Sequence, residues 1–244
     1  MSVAVVTGAS KGLGRALARS LVRRGWSVVI DARHDGPLEE AAAELRGHLA
    51  PGAAVVALPG DVTDPVHRRA LVAAASELGG TELLVNNASA LGPSPLPALA
   101  ALDPGALRAV LEADVVAPLA LVQLSLPALR RSRAPAVLNV TSDAAVEAYP
   151  GWGGYGLAKA ALDHMTAVLA VEEPHIAVWA VDPGDMRTDM HQAAFPGEDI
   201  SDRPAPEEVA PLLAALVEDR PPSGRYRAGD LAVATAAAPR GAAS

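Results

Sequence analysis

Cysteine is absent from all 244 residues, which excludes disulfides, thiolate nucleophiles and cysteine-ligated zinc or iron–sulfur centres. Basic residues are too few to balance the acids, 20 against 28, leaving a formal charge of −8. The chain therefore lacks the cationic footprint through which nucleic-acid binders neutralise phosphates, and no DNA or RNA partner is expected. Lysine is almost missing: only Lys11 and Lys159 stand among eighteen arginines. Lysine at those two positions, in a chain that otherwise uses arginine, raises the question of what the two sites need. No long uninterrupted apolar run occurs either. The most membrane-like stretch, residues 109–129, carries Glu112, Asp114, Pro118, Gln123 and Pro127, so a buried or subunit-facing helix is expected there and no membrane partner. A strand-like run starts at Val3 with no basic or long apolar leader ahead of it, from which a cytoplasmic location is expected.

What is present is a regular alternation. Short β-branched runs such as VAVVT (3–7), WSVVID (26–31) and AAVVAL (53–58) are separated by Ala/Leu-rich segments with helical spacing. Asp64 followed by Pro65 is a cap and first-turn pair for the helix after the third run. A long helical region is expected from about residue 103 to 133, then the strand AVLNVTS, a helix over about 154–171, the strand IAVWAVD and a helix over 206–219. This βαβα pattern predicts a single α/β domain over 1–230, a Rossmann-like doubly wound parallel sheet between two helical layers, with ligands at the strand ends. Residues 185–206 are Pro-, Gly- and acid-rich and read as a loop or lid over that edge; residues 231–244 are low-complexity and expected to fray.

The segment TGASKGLG sets Gly8, Gly12 and Gly14 between the first strand and the first helix, a turn that offers backbone N–H groups to a pyrophosphate. Farther on come Asn86-Asn87-Ala88, Ser142 thirteen residues before Tyr155, Tyr155 four before Lys159, and PGDMRT from Pro183 to Thr188. Together, in this order, these motifs resemble the short-chain dehydrogenase/reductase family of classical type. The chain's scarce residues sit in the motifs: both lysines, and two of its three asparagines.

The resemblance implies a nicotinamide cofactor held by Gly8, Ser10, Lys11, Gly12, Leu13, Gly14, Arg33, Asp61, Val62, Asn87, Tyr155, Lys159, Pro183, Gly184 and Thr188. Asp61 would accept from the adenine amino group, although a turn before the third helix would also explain it. The family's NAD-selecting acid aligns with Ala32, the next residue is Arg33, and Lys11 is a second cation for a 2′-phosphate. NADP(H) is therefore expected, with NAD(H) the alternative. Asp31 comes one residue too early, and on a strand that shift turns its side chain to the opposite face.

On a helix Tyr155 and Lys159 share one face. A phenol with its ordinary pKa of about 10 is a poor acid or base near neutrality, and the neighbouring ammonium is expected to lower it toward the working range. In the family Ser142 would hold the substrate oxygen and Lys159 would also bind the nicotinamide ribose, a task for a compact ammonium and not a planar fork. Two positions depart from the family pattern: Asp114 stands where the family has a water-holding asparagine at a helix kink, and Ser89 where it has glycine. Asp114 can accept but not donate and brings a charge, so it is a fourth catalytic candidate with an altered proton relay. The expected activity is NADPH-dependent reduction of a ketone or aldehyde, or the reverse oxidation, with Tyr155 as general acid/base. A non-catalytic NADP(H)-binding protein on the same scaffold is the alternative. Asp185, Asp189 and His191 read as solvated lid residues, and no metal is expected. The apolar helical region resembles the family's pairing surface, which implies a homodimer or homotetramer.

Overall fold

A computed structural model describes residues 2–231 of the chain; the expected tail, from residue 232 onward, lies outside the described residues. Seven strands, β1 (Val3–Val6), β2 (Ser27–Ala32), β3 (Val55–Pro59), β4 (Leu83–Asn86), β5 (Ala136–Val140), β6 (Ala177–Asp182) and β7 (Gly224–Arg227), form one sheet in the order β3-β2-β1-β4-β5-β6-β7. Every neighbouring pair is parallel. Between β1 and β4 the direction of strand addition reverses, and the chain leaving their two carboxyl ends must diverge there. Thr7 and Gly8 leave β1, Asn87 and Ala88 leave β4, so both motifs stand at the one crevice the topology opens.

The buried strands have no polar face because helices cover both sides. Ala4, Val6, Val28, Ile30, Leu138 and Trp179 point into one core with Leu17 and Leu21 of α1 (Gly12–Arg23), Leu38 and Leu45 of α2 (Asp35–Arg46) and Leu213 of α8 (Pro206–Asp219). Their alternating neighbours Val3, Val5, Val29, Val137 and Val178 pack with Leu71 of α3 (Pro65–Glu77), Leu121 and Leu129 of α5 (Ala117–Leu129) and Leu169 of α6 (Gly153–Glu172). Asp64 caps α3 as expected, accepting from Val66 N at 2.8 Å.

Three expectations need correction. The helix expected over 103–133 is α4 (Pro104–Leu111) and α5 joined by a π-helical turn, Glu112–Val116, and it ends at Leu129. A wider turn inserts a phase shift that an apolar count at 3.6 periodicity averages away, and here it carries Asp114 into the interior. The segment 185–206 is not all loop, since Thr188 caps a short helix, α7 (Asp189–Ala194), through His191 N. Strand β7 was not expected at all: Gly-Arg-Tyr-Arg is an edge strand with alternating half-exposed residues. Among the described residues the run Pro104–Leu129 has the length and mean hydropathy, 1.7, to cross a bilayer; here its Val110, Leu121, Val122 and Leu129 are buried in the fold.

α6 reaches the site because of a glycine. A Cβ on Gly156 would lie 2.5 Å from the Ala144 carbonyl oxygen, so the residue after Tyr155 lets this helix press against the turn that follows Ser142. Gly156→Ala is expected to destabilise the protein by about 1–3 kcal/mol through overpacking, measured as a lower urea midpoint with an unchanged slope; a wild-type midpoint would show that the contact has slack.

Candidate active site

At the amino end of α1 the helix starts without a cap: Lys11 precedes it with no side-chain cap bond, and no acidic residue lies in the first turn. Its leading N–H groups face the crevice with their positive dipole end uncompensated, the arrangement that takes a phosphate. Asn87 builds this turn from below, donating to Thr7 O at 2.8 Å and Gly8 O at 3.1 Å. Its amide is therefore committed to shaping the glycine turn. A Cβ on Gly14 would meet Gly8 O at 2.5 Å, so glycine is required there by close approach.

Asp31 does turn away from Ala32, toward α3, and both its oxygens are engaged. Oδ1 accepts from Gly8 N at 2.8 Å and Oδ2 meets His67 Nε2 at 3.0 Å. Burial holds its carboxyl above the usual range, with the His67 and Gly8 bonds opposing. Each oxygen thus already holds one partner, at the edge of the cleft that Asp31 lines. Arg33 and Asp61 line the same end of the cleft. Asp61 Oδ1 accepts from both Thr63 N and Thr63 Oγ1 at 2.8 Å, so it builds the turn before α3 while lining the cleft. Val62 contributes its carbonyl to Arg68 at 2.7 Å. Lys11 pairs with Asp189 of α7 at 2.6 Å, and both side chains are exposed, so the glycine turn and the lid are latched by a contact that solvent screens.

At the other end of the cleft Ser142 follows β5, and Tyr155 and Lys159 project together from α6. Lys159 is 2% exposed; its Nζ donates to Val140 O at 3.0 Å, lies 3.3 Å from Asp114 Oδ2, and sits 5.4 Å from the Tyr155 ring centroid. Asp114 is fully buried and also accepts from Ser89 Oγ at 2.5 Å and Ala90 N at 2.7 Å. The π turn thus places a carboxylate beside the lysine.

Burial outweighs the lysine, which does pull the tyrosine down as expected. Burial raises the Tyr155 phenol above its ordinary range; Lys159 pulls it down, but Asp114 and Asp182 push it back up. The sequence shows the ammonium but not the desolvation. Burial works against the Lys159 ammonium, yet Asp114 and then Tyr155 leave it raised.

Several functional neighbours were invisible in the sequence. Asp143 accepts from Ser142 Oγ at 2.9 Å and from Tyr149 OH at 3.1 Å. Arg225 of β7 donates to Ser142 O at 3.0 Å and to Asp163 Oδ2 at 2.9 Å, binding the serine turn to an element the sequence did not announce. Asn86 donates to Asn139 Oδ1 at 2.7 Å, and Asn139 to Thr166 Oγ1 at 2.8 Å, an amide ladder from β4 through β5 to α6. Pro183 and Gly184 border the cleft, with Gly184 N bonded to Asp182 Oδ1 at 2.9 Å. Thr188 is taken up in capping α7. Asp185 and His191 lie 3.7 Å apart, while Asp189 is on Lys11, so the three lid residues do not converge.

The cleft encloses about 1320 Å³ and runs without a break from Arg33 and Asp61, past Ser10, Gly12 and Leu13, to Ser142, Tyr155 and Lys159. Its far wall is aromatic: Trp152 stands edge-on to Tyr155 and tilted against Phe195, both with centroids 5.8 Å apart. The chain has only seven aromatic residues, and Tyr149, Trp152, Tyr155 and Phe195 line this one cleft.

The model of the short chain dehydrogenase family matches residues 2–199. The chain belongs to the short-chain dehydrogenase family. It is 36% identical over 203 residues to a sepiapterin reductase of Meriones unguiculatus, covering 79% of this chain and 77% of that one. Among solved family structures, a short-chain dehydrogenase of Shigella flexneri complexed with NADP superposes with a TM-score of 0.86 at 26% identity over 93% of this chain and 97% of that one. An alcohol dehydrogenase of Thermococcus sibiricus complexed with 5-hydroxy-NADP gives 0.81 at 26%, over 93% and 95%. Membership makes the chain an oxidoreductase with a Rossmann-like fold in which the glycine turn and the Ser-Tyr-Lys set occupy one cleft.

Proposed function

We propose that the chain is an NADP(H)-dependent reductase of ketones or aldehydes. The observation that carries this reading is the meeting of Ser142, Tyr155 and Lys159 at the end of a cleft whose other end offers an uncapped helix terminus with Lys11 and Arg33 beside it. The α1 terminus would hold the pyrophosphate, Arg33 and Lys11 a 2′-phosphate, and Lys159 the nicotinamide ribose; the NADP complexes of family members support this choice. When bound, such a cofactor supplies the hydride. Ser142 holds the carbonyl oxygen, Tyr155 gives that oxygen its proton, and Lys159 fixes the tyrosine's electrostatics while Trp152 and Phe195 exclude water from the reacting carbon.

The relatives named sepiapterin reductases place sepiapterin first in a carbonyl panel, and the aromatic wall suits flat substrates. A second copy of the chain is proposed to cover α5 and α6, where Leu119, Leu157, Val168 and Val171 are exposed. Lys11→Ala with Arg33→Ala is expected to raise KM for NADPH at least about tenfold, the loss of two charge-assisted phosphate contacts, and to leave KM for NADH nearly unchanged. Initial rates with both cofactors decide it; equal effects on the two would remove the 2′-phosphate assignment.

A further inference from the structure

Segments of the reacting end that come from different elements converge on one side chain of β7. Along Gly-Arg-Tyr-Arg the side chains alternate in direction: Tyr226 packs on the core that α1 and α8 cover, while Arg225 and Arg227 turn to the side of α6 and the end of β6. The Arg225 guanidinium donates from Nε to Asp163 Oδ2 at 2.9 Å and from Nη2 to Ser142 O at 3.0 Å, and Nη2 lies 3.6 Å from Asp182 Oδ2. Each contact belongs to a different part of the site. Ser142 follows β5. Asp163 stands on α6 one turn beyond Lys159, which is itself one turn beyond Tyr155. Asp182 ends β6, and its Oδ1 accepts from Gly184 N at the border of the cleft.

We propose that Arg225 is a positioning residue: one guanidinium, bonded to the Ser142 carbonyl and to Asp163 of α6, sets the substrate-holding serine at a fixed spacing from Tyr155 and Lys159. Its effect on rate rests on the reductase reading. A carbonyl oxygen held by Ser142 and protonated by Tyr155 must sit within reach of both hydroxyls, and these come from separate elements. Gly156 lets α6 approach the turn after Ser142, and Ala145 N, donating to Ser142 O at 3.1 Å, shapes that turn. Neither joins it to α6 by a hydrogen bond; the arginine does. The α6 arm depends on it, because Asp163 Oδ1 is buried without a hydrogen-bond partner among the described residues. Arg227 also approaches Asp182, at 3.6 Å, so the β6 arm keeps a cation when Arg225 is removed, and the loss falls on the serine turn and α6. A planar fork of fixed donors serves a carbonyl and a carboxylate from one position, which a single ammonium does not.

The test compares Arg225→Met with wild type. With the fastest carbonyl of the panel and saturating NADPH, kcat is expected to fall about 10- to 10²-fold, the cost of a misplaced reacting group. The dissociation constant of NADPH is expected to stay within about twofold, since the phosphate-binding end is untouched. Amide hydrogen exchange of the free protein should quicken over residues 142–147 and stay unchanged over residues 8–14. Arg225→Lys keeps the charge without the fork and is expected to recover only part of kcat. An unchanged kcat, full recovery by the lysine or unchanged exchange over 142–147 overturns the positioning role. So does an NADPH affinity that falls in step with kcat, the mark of general loosening. If Arg225→Met does not fold, Asp163→Ala, which removes the α6 arm alone, is expected to lower kcat at unchanged NADPH affinity, and a wild-type kcat there overturns the proposal. A wild-type chain inactive toward every carbonyl would refute the reductase reading, while the exchange experiment still judged the contact.

Discussion

Tyr155→Phe is expected to lower NADPH-dependent carbonyl reduction by about 10²–10⁴-fold, the range for removing a positioned general acid, while NADPH affinity changes little. Among the described residues Tyr155 lines the cleft beside Ser142 and Lys159. The Ser142 hydroxyl is too weak an acid to protonate the oxygen it holds, and Lys159 is turned inward to Val140 and Asp114. Phenylalanine keeps the ring, its edge contact with Trp152 and the cation's position over the aromatic face, so the lost rate is chemical and not structural. Steady-state NADPH oxidation paired with fluorescence titration of the cofactor checks it. A variant that retained near-normal turnover would transfer the acid role elsewhere and end the proposed mechanism.

Lys159→Met should be the most destabilising single change at the site, by about 3–5 kcal/mol, because it strands a fully buried carboxylate. That is a large part of the roughly 5–15 kcal/mol of a typical domain. Asp114 would keep Ser89 and Ala90 N but lose the one cation paired with it among the described residues. Adding Asp114→Asn removes the stranded charge while an amide oxygen still accepts from Ala90 N, so the double variant is expected to recover most of the loss, a strong departure from additivity. Urea unfolding of the four proteins gives the coupling directly. A single variant within about 1 kcal/mol of wild type would mean that water reaches Asp114 and screens it. The same enclosure explains the lone lysine in an arginine-rich chain: a space 2% exposed, with one carbonyl and one carboxylate to satisfy, takes a compact ammonium and not a five-donor fork.

The sheet and its helices were legible because burial on both faces leaves β-branched runs with few polar residues in them, and because Asp64, Pro65 and the glycine turn punctuate the elements. β7 was not, since an edge strand of alternating Arg and Tyr has no such signature. Within the site, Ser142, Tyr155 and Lys159 were picked out by motifs that resemble the family's, whereas Asp31–His67, Ser142–Arg225 and Ser89–Asp114 join residues 36, 83 and 25 positions apart, beyond any local pattern. Asp114 could be singled out as unusual, but only the π turn reveals that it meets Lys159. The lowering of Tyr155 by Lys159 was legible but the opposing effect of burial was not: charges can be counted along a chain, but the solvent removed from around a phenol cannot.

The amide ladder from Asn86 through Asn139 to Thr166 divides the cleft into parts of different stiffness. Its bonds are buried, so α6 and its tyrosine are referenced to the sheet itself. The lid answers to a different contact, the exposed Lys11–Asp189 pair, whose strength falls as salt shortens the Debye length. Ionic strength is therefore expected to weaken the Lys11–Asp189 contact and to leave the buried ladder, and with it the seat of Tyr155, unchanged.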